Sequence, residues 1–265
     1  MEQPNICVIG SGKIFQLYHL NSILSSGFNI KYIVDLDLDL AKKYAKITDS
    51  KPLTDLENIY DCSIFFIATP PSTRENIFNK IKGKAKHIIF EKPISFTYKI
   101  ANNIYEFSKK NDINIYVAQT RKFFPNLNFV KDLVSSDFIN NPDEILIYEG
   151  GLFGWVTESN HLAKEDPNDF GIVHDVGPHI FDFLVSLFES YNYDVSKIQI
   201  QSVDIDYKIL PNNVDVKLAF KEDNHLTKIN IVISRSLLLM NKILIRKANK
   251  SIISRTLDEE VVITT

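Results

Sequence analysis

The chain has 265 residues, 30 Lys plus Arg against 33 Asp plus Glu, and a formal net charge of −3. With 45% hydrophobic and 24% charged residues the composition is that of an ordinary globular protein, and the near-neutral balance leaves no basic footprint for nucleic acid and no cationic arm for a membrane surface. Two cysteines, Cys7 and Cys62, cannot build a disulfide framework; without CxxC or histidine company they argue against structural zinc, so no metal is expected and a reducing compartment fits. The opening Met1-Glu2-Gln3-Pro4 is unlike a secretory signal, and no apolar run approaches the roughly 18 residues of a membrane span. A cytoplasmic protein with no membrane partner is the expectation.

Residues 5–9 (NICVI) read as a buried strand, and the segment after Gly12 as a helix. Residues 30–34 form a second apolar strand ending at Asp35, and 39–47 have helical composition. Residues 62–68 (CSIFFIA) are a third strand, stopped by Thr69-Pro70-Pro71 because proline cannot continue a ladder. A helix over 73–82, a strand over 87–90, a helix over 95–110 and a strand over 113–118 complete the series. Short apolar strands separated by amphipathic helices signal a parallel sheet covered on both faces. This predicts an α/β doubly wound domain over residues 1–120.

Beyond residue 121 the pattern changes. A helix follows Pro125, then a strand over 144–152 and a long helix over 174–189. Strands are predicted over 197–209, 213–220, 226–234, 240–248 and 250–256, with turns at 222–224 and 248–250. Several alternate apolar and polar positions, which suits a sheet whose two faces are differently solvated. Residues 121–265 are therefore expected to form an α+β domain with a largely antiparallel open sheet.

Seven of only nine glycines fall in three clusters, at 10 and 12, at 150, 151 and 154, and at 171 and 177. In the first, Gly10-Ser11-Gly12-Lys13-Ile14, a strand gives way to a helix whose N–H groups and dipole can hold a pyrophosphate. Asp35 lies 23 residues after Gly12, where an acid accepts bonds from an adenosine ribose. Asp35, Asp37 and Asp39 would repel a 2′-phosphate, favouring NAD(H); Lys42 and Lys43 keep NADP(H) as the second option. Phe15 stands at the third small-residue position and is expected to press the helix away from the sheet. A bare GxG is also an ordinary tight turn.

Thr69-Pro70-Pro71-Ser72-Thr73 sits at the carboxyl end of a strand, where open α/β sheets bind ligands, and reads equally as a strand stop with a Ser/Thr helix cap. In Glu91-Lys92-Pro93 the proline pushes Lys92 toward an extended conformation that can aim its amine into a cleft, although most loop lysines are simply solvated. Asp175, His179 and Asp182 stand at i, i+4 and i+7, one face of a helix, with Gly177 leaving space beside them. Imidazole and carboxylate one turn apart suit acid–base chemistry near neutral pH, or form a solvated surface pair.

VIGSGKIFQLYHLNSI, IVDLD, ATPPSTR, EKP and GxxxDxGPHxxD, in that order, resemble the Gfo/Idh/MocA oxidoreductases, the glucose–fructose oxidoreductase and inositol dehydrogenase relatives, over residues 5 to 190. The resemblance implies an N-terminal Rossmann domain and a C-terminal domain whose open sheet builds a homodimer or homotetramer. It also implies hydride transfer between a nicotinamide and a hydroxyl or carbonyl carbon of a small-molecule substrate, usually a sugar or cyclitol. Lys92 then matches the lysine near nicotinamide and reacting oxygen, His179 the histidine that exchanges the hydroxyl proton, and Asp175 its acidic companion. Gly10, Gly12, Lys13, Ile14, Asp35, Thr69, Pro70, Glu91, Lys92 and Gln119 match cofactor positions, and Arg121 and Trp155 substrate contacts.

GGLFGWVTESNHL resembles members acting on nucleotide sugars. Asp169 and Phe170 replace glycines usual ahead of Gly171, and the chain stops at Thr265 in a strand-like segment where relatives continue with a helical stretch, so an uncovered sheet edge or face is expected to favour oligomerisation or to need another partner. Reduction of an imine or tetrapyrrole on the same scaffold, and a catalytically silent nucleotide-binding regulator, stand as alternatives.

Overall fold

The computed structural model describes residues 4–151, 171–206, 213–222, 224–257 and 260–265. Among these the chain divides into two compact units, one ending at Ala118 and one beginning at Gln119.

The first unit alternates β1 (Asn5–Ile9), α1 (Leu20–Ser25), β2 (Asn29–Val34), α2 (Leu38–Thr48), β3 (Lys51–Leu53), β4 (Ile64–Ile67), α3 (Pro71–Ile81), β5 (His87–Phe90), α4 (Tyr98–Lys110) and β6 (Asn114–Val117). The strands pair in parallel in the order β3-β2-β1-β4-β5-β6. Successive side chains point to opposite faces, and both are covered. Ile6, Val8, Ile33 and Phe66 pack with Phe15, Leu20, Ala41 and Tyr44. Cys7, Ile9, Phe65, Ile67 and Phe90 pack with Phe78, Ile81 and Ile104. The strand order reverses between β1 and β4, the switch point where such sheets bind ligands.

Three details depart from the expectation. Phe15 does not lever the helix off the sheet; its ring is fully buried in the core against Tyr44, and Phe15–His19 wind as a π turn before α1. The helix expected from residue 95 begins at Tyr98, because the Thr97 hydroxyl caps it by accepting from Ile100 N–H. The edge strand β3, three residues with Pro52 at its centre, carries too little pattern to be foreseen.

In the second unit a 3₁₀ turn (Thr120–Phe123) leads into α5 (Pro125–Ser135), β7 (Glu144–Gly150), α6 (Ile172–Asp175) and α7 (Gly177–Ser190). There follow β8 (Ile198–Asp206), β9 (Asn213–Glu222), β10 (His225–Ser234), β11 (Lys242–Lys247), β12 (Lys250–Arg255) and β13 (Val261–Thr264). The sheet order is β13-β12-β11-β7-β10-β9-β8, antiparallel throughout except for the parallel β7–β10 pair.

α7 buries Ile180, Phe183, Leu184, Leu187 and Phe188, the i, i+3, i+4, i+7, i+8 stripe of an amphipathic helix. With Leu127, Val130 and Val134 of α5 these cover Ile145, Ile147, Val216, Ile231 and Ile245 on one face of the sheet. On the opposite face Leu146, Leu244, Ile253 and Val262 fall in one cross-strand row.

The long helix expected over 174–189 is two helices. Pro178 has no N–H to give the carbonyl four residues back, so α6 ends at Asp175 and α7 starts at Gly177. Asp175 and His179 therefore do not share the face of one continuous helix. Among the described residues no helix is long and apolar enough to cross a membrane, and no group of three or more His, Cys, Asp or Glu could hold a metal ion.

Candidate functional site

In the first unit, backbone bonds that continue past the strand ends gather the loops at the carboxyl end of the sheet. Gly10 N–H donates to Val34 O at 2.8 Å, Ala68 N–H to Ile9 O at 2.8 Å, and Glu91 N–H to Ile67 O at 2.9 Å. Gly10, Asp35, Thr69, Pro70, Glu91 and Lys92 thus follow neighbouring strands.

The two glycines of the first loop answer different demands. Gly10 has φ +92°, and a Cβ there would lie 2.9 Å from both Ala68 C and Thr69 Cγ2, so the protein itself excludes any side chain. At Gly12 a Cβ would meet nothing within 4 Å. Among the described residues no atom requires that glycine; open ground in front of a backbone turn is what close approach of a pyrophosphate needs. Lys13 and Ile14 open the following helical segment, so their N–H groups stand at its positive end. Asp35 straps the loop: its Oδ2 accepts from Ser11 N–H at 2.7 Å and Ser11 Oγ at 2.9 Å, and its Oδ1 from Asp37 N–H at 3.1 Å.

The nearby lysines are engaged on α2. Lys42 lies 3.9 Å from Asp39, and Lys43 stands over the Tyr44 ring at 5.2 Å. Asp37 caps that helix by accepting from Asp39 and Leu40 N–H. The residues present fit NAD(H): a tight turn, an open glycine, a helix start, and carboxylates rather than cations after β2.

Beyond β4 no Ser or Thr caps α3. Pro70 is the N-cap, and the Thr73 hydroxyl donates to Pro70 O at 2.8 Å while lying 2.8 Å from the Thr69 hydroxyl. Glu91 is buried, with Oε1 accepting from His19 Nε2 at 2.5 Å and Oε2 from Lys92 N–H at 2.9 Å. Its carboxylate, expected to touch cofactor, is spent on the protein's own loops. Lys92 is joined to Pro93 by a cis peptide bond. Arg74 donates from Nε and Nη2 to Thr69 O at 2.8 and 2.6 Å, and from Nη1 to the carbonyls of Glu91 and Pro93.

In the second unit, Arg121, expected as a substrate contact, is paired within the protein. Its guanidinium forks onto Glu149 of β7, Nη1 to Oε2 at 2.5 Å and Nη2 to Oε1 at 2.6 Å, with both side chains mostly buried. Asp175 Oδ2 accepts from Arg235 Nη2 at 2.7 Å, and Asp182 pairs with Lys122 at 3.1 Å. Gln119 Nε2 donates to Pro178 O at 3.3 Å, beside His179 in the chain, and its buried Oε1 has no hydrogen bond among the described residues. A Cβ on Gly177 would meet the Phe181 ring at 3.3 Å, so that glycine's space is largely filled. Trp155, Asp169 and Phe170 lie outside the described residues.

Four residues escaped the sequence reading. Arg74 and His19 lie inside ATPPSTR and VIGSGKIFQLYHLNSI, so the motifs contained them without showing what they bond. Glu149 and Arg235 carry no local signal, because each is defined by a partner far along the chain. A shallow depression of about 610 Å³, lined by Asn5, Tyr60, Asp61, Lys84 and Lys86, belongs to the amino end of the sheet and involves none of the candidate residues.

Residues 4–119 match the Gfo/Idh/MocA family model, described as the oxidoreductase family, NAD-binding Rossmann fold. The chain is similar to an uncharacterised oxidoreductase of Schizosaccharomyces pombe, 22% identical over 165 residues, covering 61% of this chain and 44% of that one. It is similar to glucose-6-phosphate 3-dehydrogenase of Bacillus subtilis, 21% identical over 194 residues, covering 70% of this chain and 54% of that one. It thus spans about half the length of these curated relatives. Its fold is shared with the WlbA dehydrogenase of Chromobacterium violaceum, solved in complex with NADH and UDP-GlcNAcA, at a TM-score of 0.78, 12% identity, and coverage of 96% of this chain and 74% of that one.

Proposed function

From an N-terminal unit that belongs to the NAD-binding Rossmann domains of the Gfo/Idh/MocA oxidoreductases, we propose that the protein is an NAD(H)-dependent oxidoreductase acting on a hydroxyl or carbonyl carbon of a sugar, nucleotide sugar or cyclitol. The observation that carries this reading is the contrast between Gly10, which the fold demands, and Gly12, which faces open ground at the switch point. The substrate class draws on the sugar-phosphate and nucleotide-sugar dehydrogenases to which the chain is similar. When bound, the nicotinamide supplies the hydride or receives it.

The chain's own groups do the rest. Main-chain N–H groups from Gly12 to Ile14 face the pyrophosphate, and Asp35 holds their turn while its remaining lone pairs meet the adenosine ribose. Lys92 stabilises negative charge on the substrate oxygen. His179 takes or returns the hydroxyl proton. Asp175, fixed in direction by Arg235, orients the acid–base group. Gln119 Oε1, buried and without a hydrogen bond among the described residues, accepts from cofactor or substrate. The apolar cross-strand row on the face of the second sheet opposite α5 and α7 supports a homodimer or homotetramer, to be tested by light scattering of Leu244→Glu.

The test is a fluorescence titration with NADH and NADPH, followed by turnover on a panel of nucleotide sugars, sugar phosphates and cyclitols. NADH should bind the more tightly. Lys92→Ala and His179→Ala should each keep nucleotide binding and lose about 10²-fold or more in turnover. A protein that binds neither nucleotide overturns the reading.

A further inference from the structure

One buried guanidinium links two loops of the first unit. Arg74 stands in the first turn of α3 and is only 3% exposed. Three main-chain carbonyls receive its bonds: Thr69 after β4, and Glu91 and Pro93 after β5. Lys92 lies between the last two, and its own N–H is held by Glu91 Oε2. The other oxygen of that carboxylate is held by His19, whose ring packs on Phe66 at 4.6 Å and ends the π turn following the glycine loop. The helix after the glycine loop, the Thr69 loop and the Lys92 loop therefore meet on Arg74 and Glu91.

A cation is an expensive way to fill a core, because burial disfavours its charge unless every donor is used. Burial pulls the Arg74 pKa down to about 10, against the charge of nearby Glu91, so it stays charged at neutral pH. An aliphatic residue would fill the volume and tie nothing. A lysine's three donors radiate from one nitrogen, whereas the guanidinium spreads its donors over three nitrogens and reaches acceptors on two loops.

We infer that Arg74, acting with the His19–Glu91 pair, is a positioning residue that aims Lys92 and keeps it in register with Thr69. Its consequence for turnover rests on the oxidoreductase reading; its effect on Lys92 does not. The test compares wild type with Arg74→Lys, Arg74→Ala, His19→Gln and His19→Leu, each checked for folding by thermal melting.

Lys92 is first read without nucleotide, by low-dose acetic anhydride labelling and peptide mass spectrometry, with Lys42 and Lys110 as references. Both Arg74 variants should change Lys92 labelling relative to those references. In turnover, kcat should fall on the order of 100-fold while KM and Kd for NADH stay within about threefold, the split expected of a displaced group rather than a lost binding site. Arg74→Lys should not rescue; His19→Gln, which keeps a donor toward Glu91, should retain most of the activity that His19→Leu loses.

A folded Arg74→Lys with wild-type labelling and kcat overturns the inference, as does a loss confined to NADH binding. If the Arg74 variants do not fold, the two His19 variants decide it on the same readouts. If wild type binds no nucleotide, the oxidoreductase reading fails and the labelling alone decides whether Arg74 positions Lys92.

Discussion

The two units secure their mostly buried arginines by opposite means. In the first, Arg74 is bonded to three main-chain carbonyls. In the second, Arg121 and Arg235 each meet a carboxylate across the fold, Glu149 and Asp175. Main-chain partners persist through mutation of any other side chain. An ion pair fails when either member is lost, and a buried one leaves the survivor stranded.

That contrast is sharpest at Glu149. Glu149→Leu should cost about 3–5 kcal/mol in denaturant unfolding, because it strands the Arg121 guanidinium, and Arg121→Met in the same chain should recover much of the loss. A stability change under 1 kcal/mol for the single variant would break the comparison.

Gly10→Ala comes next, at about 2–3 kcal/mol, from the positive φ and a Cβ 2.9 Å from the neighbouring backbone. Gly12→Ala should leave stability within about 0.5 kcal/mol and weaken NADH about tenfold or more by obstructing the pyrophosphate. Equal stability losses at both glycines would remove the distinction on which the dinucleotide reading rests.

A smaller effect is expected from alkali. Burial pushes the Cys62 thiol up to about 11 from 9.0, and burial raises Cys7 as well. The unfolded chain releases the Cys62 proton first, so its contribution is intact below about pH 9 and lost on the way to pH 11, on the order of 1–2 kcal/mol. Urea midpoints measured across that window for Cys62→Ala and wild type should converge as pH rises. Smallest of all, Arg246→Ala removes a half-exposed partner of Glu144 and should cost under about 1 kcal/mol in the same assay.

The same division governs what the sequence disclosed. The parallel sheet was legible because each strand is a short apolar run closed by its own punctuation, Gly10 after β1, Asp35 after β2, Thr69-Pro70 after β4. Cofactor-side residues sit at those stops, so local grammar located them. In the second unit the strands were legible from alternation, but the role of Arg121 was not. Its partner Glu149 is 28 residues away, and nothing near either position marks the pair. Asp175 is a related case: its partner Arg235 lies 60 residues away, which i, i+4 spacing does not mark. The partner of Glu91 was equally hidden, since His19 lies 72 residues earlier.

The position of β7 in its sheet sets an order on synthesis. It is flanked by β11 on one side and β10 on the other, neither of which exists until the ribosome has passed residue 224. At ordinary elongation rates Ile145, Leu146, Ile147 and Tyr148 wait on the order of 5–20 s with both edges unpaired. β1, by contrast, finds β2 and β4 within the next 60 residues. The first unit can close while the chain is still growing, whereas the second must keep its central strand from other chains until nearly the last strand is made. Nascent-chain aggregation and chaperone demand should therefore concentrate on β7 rather than on the more hydrophobic-looking strands before it.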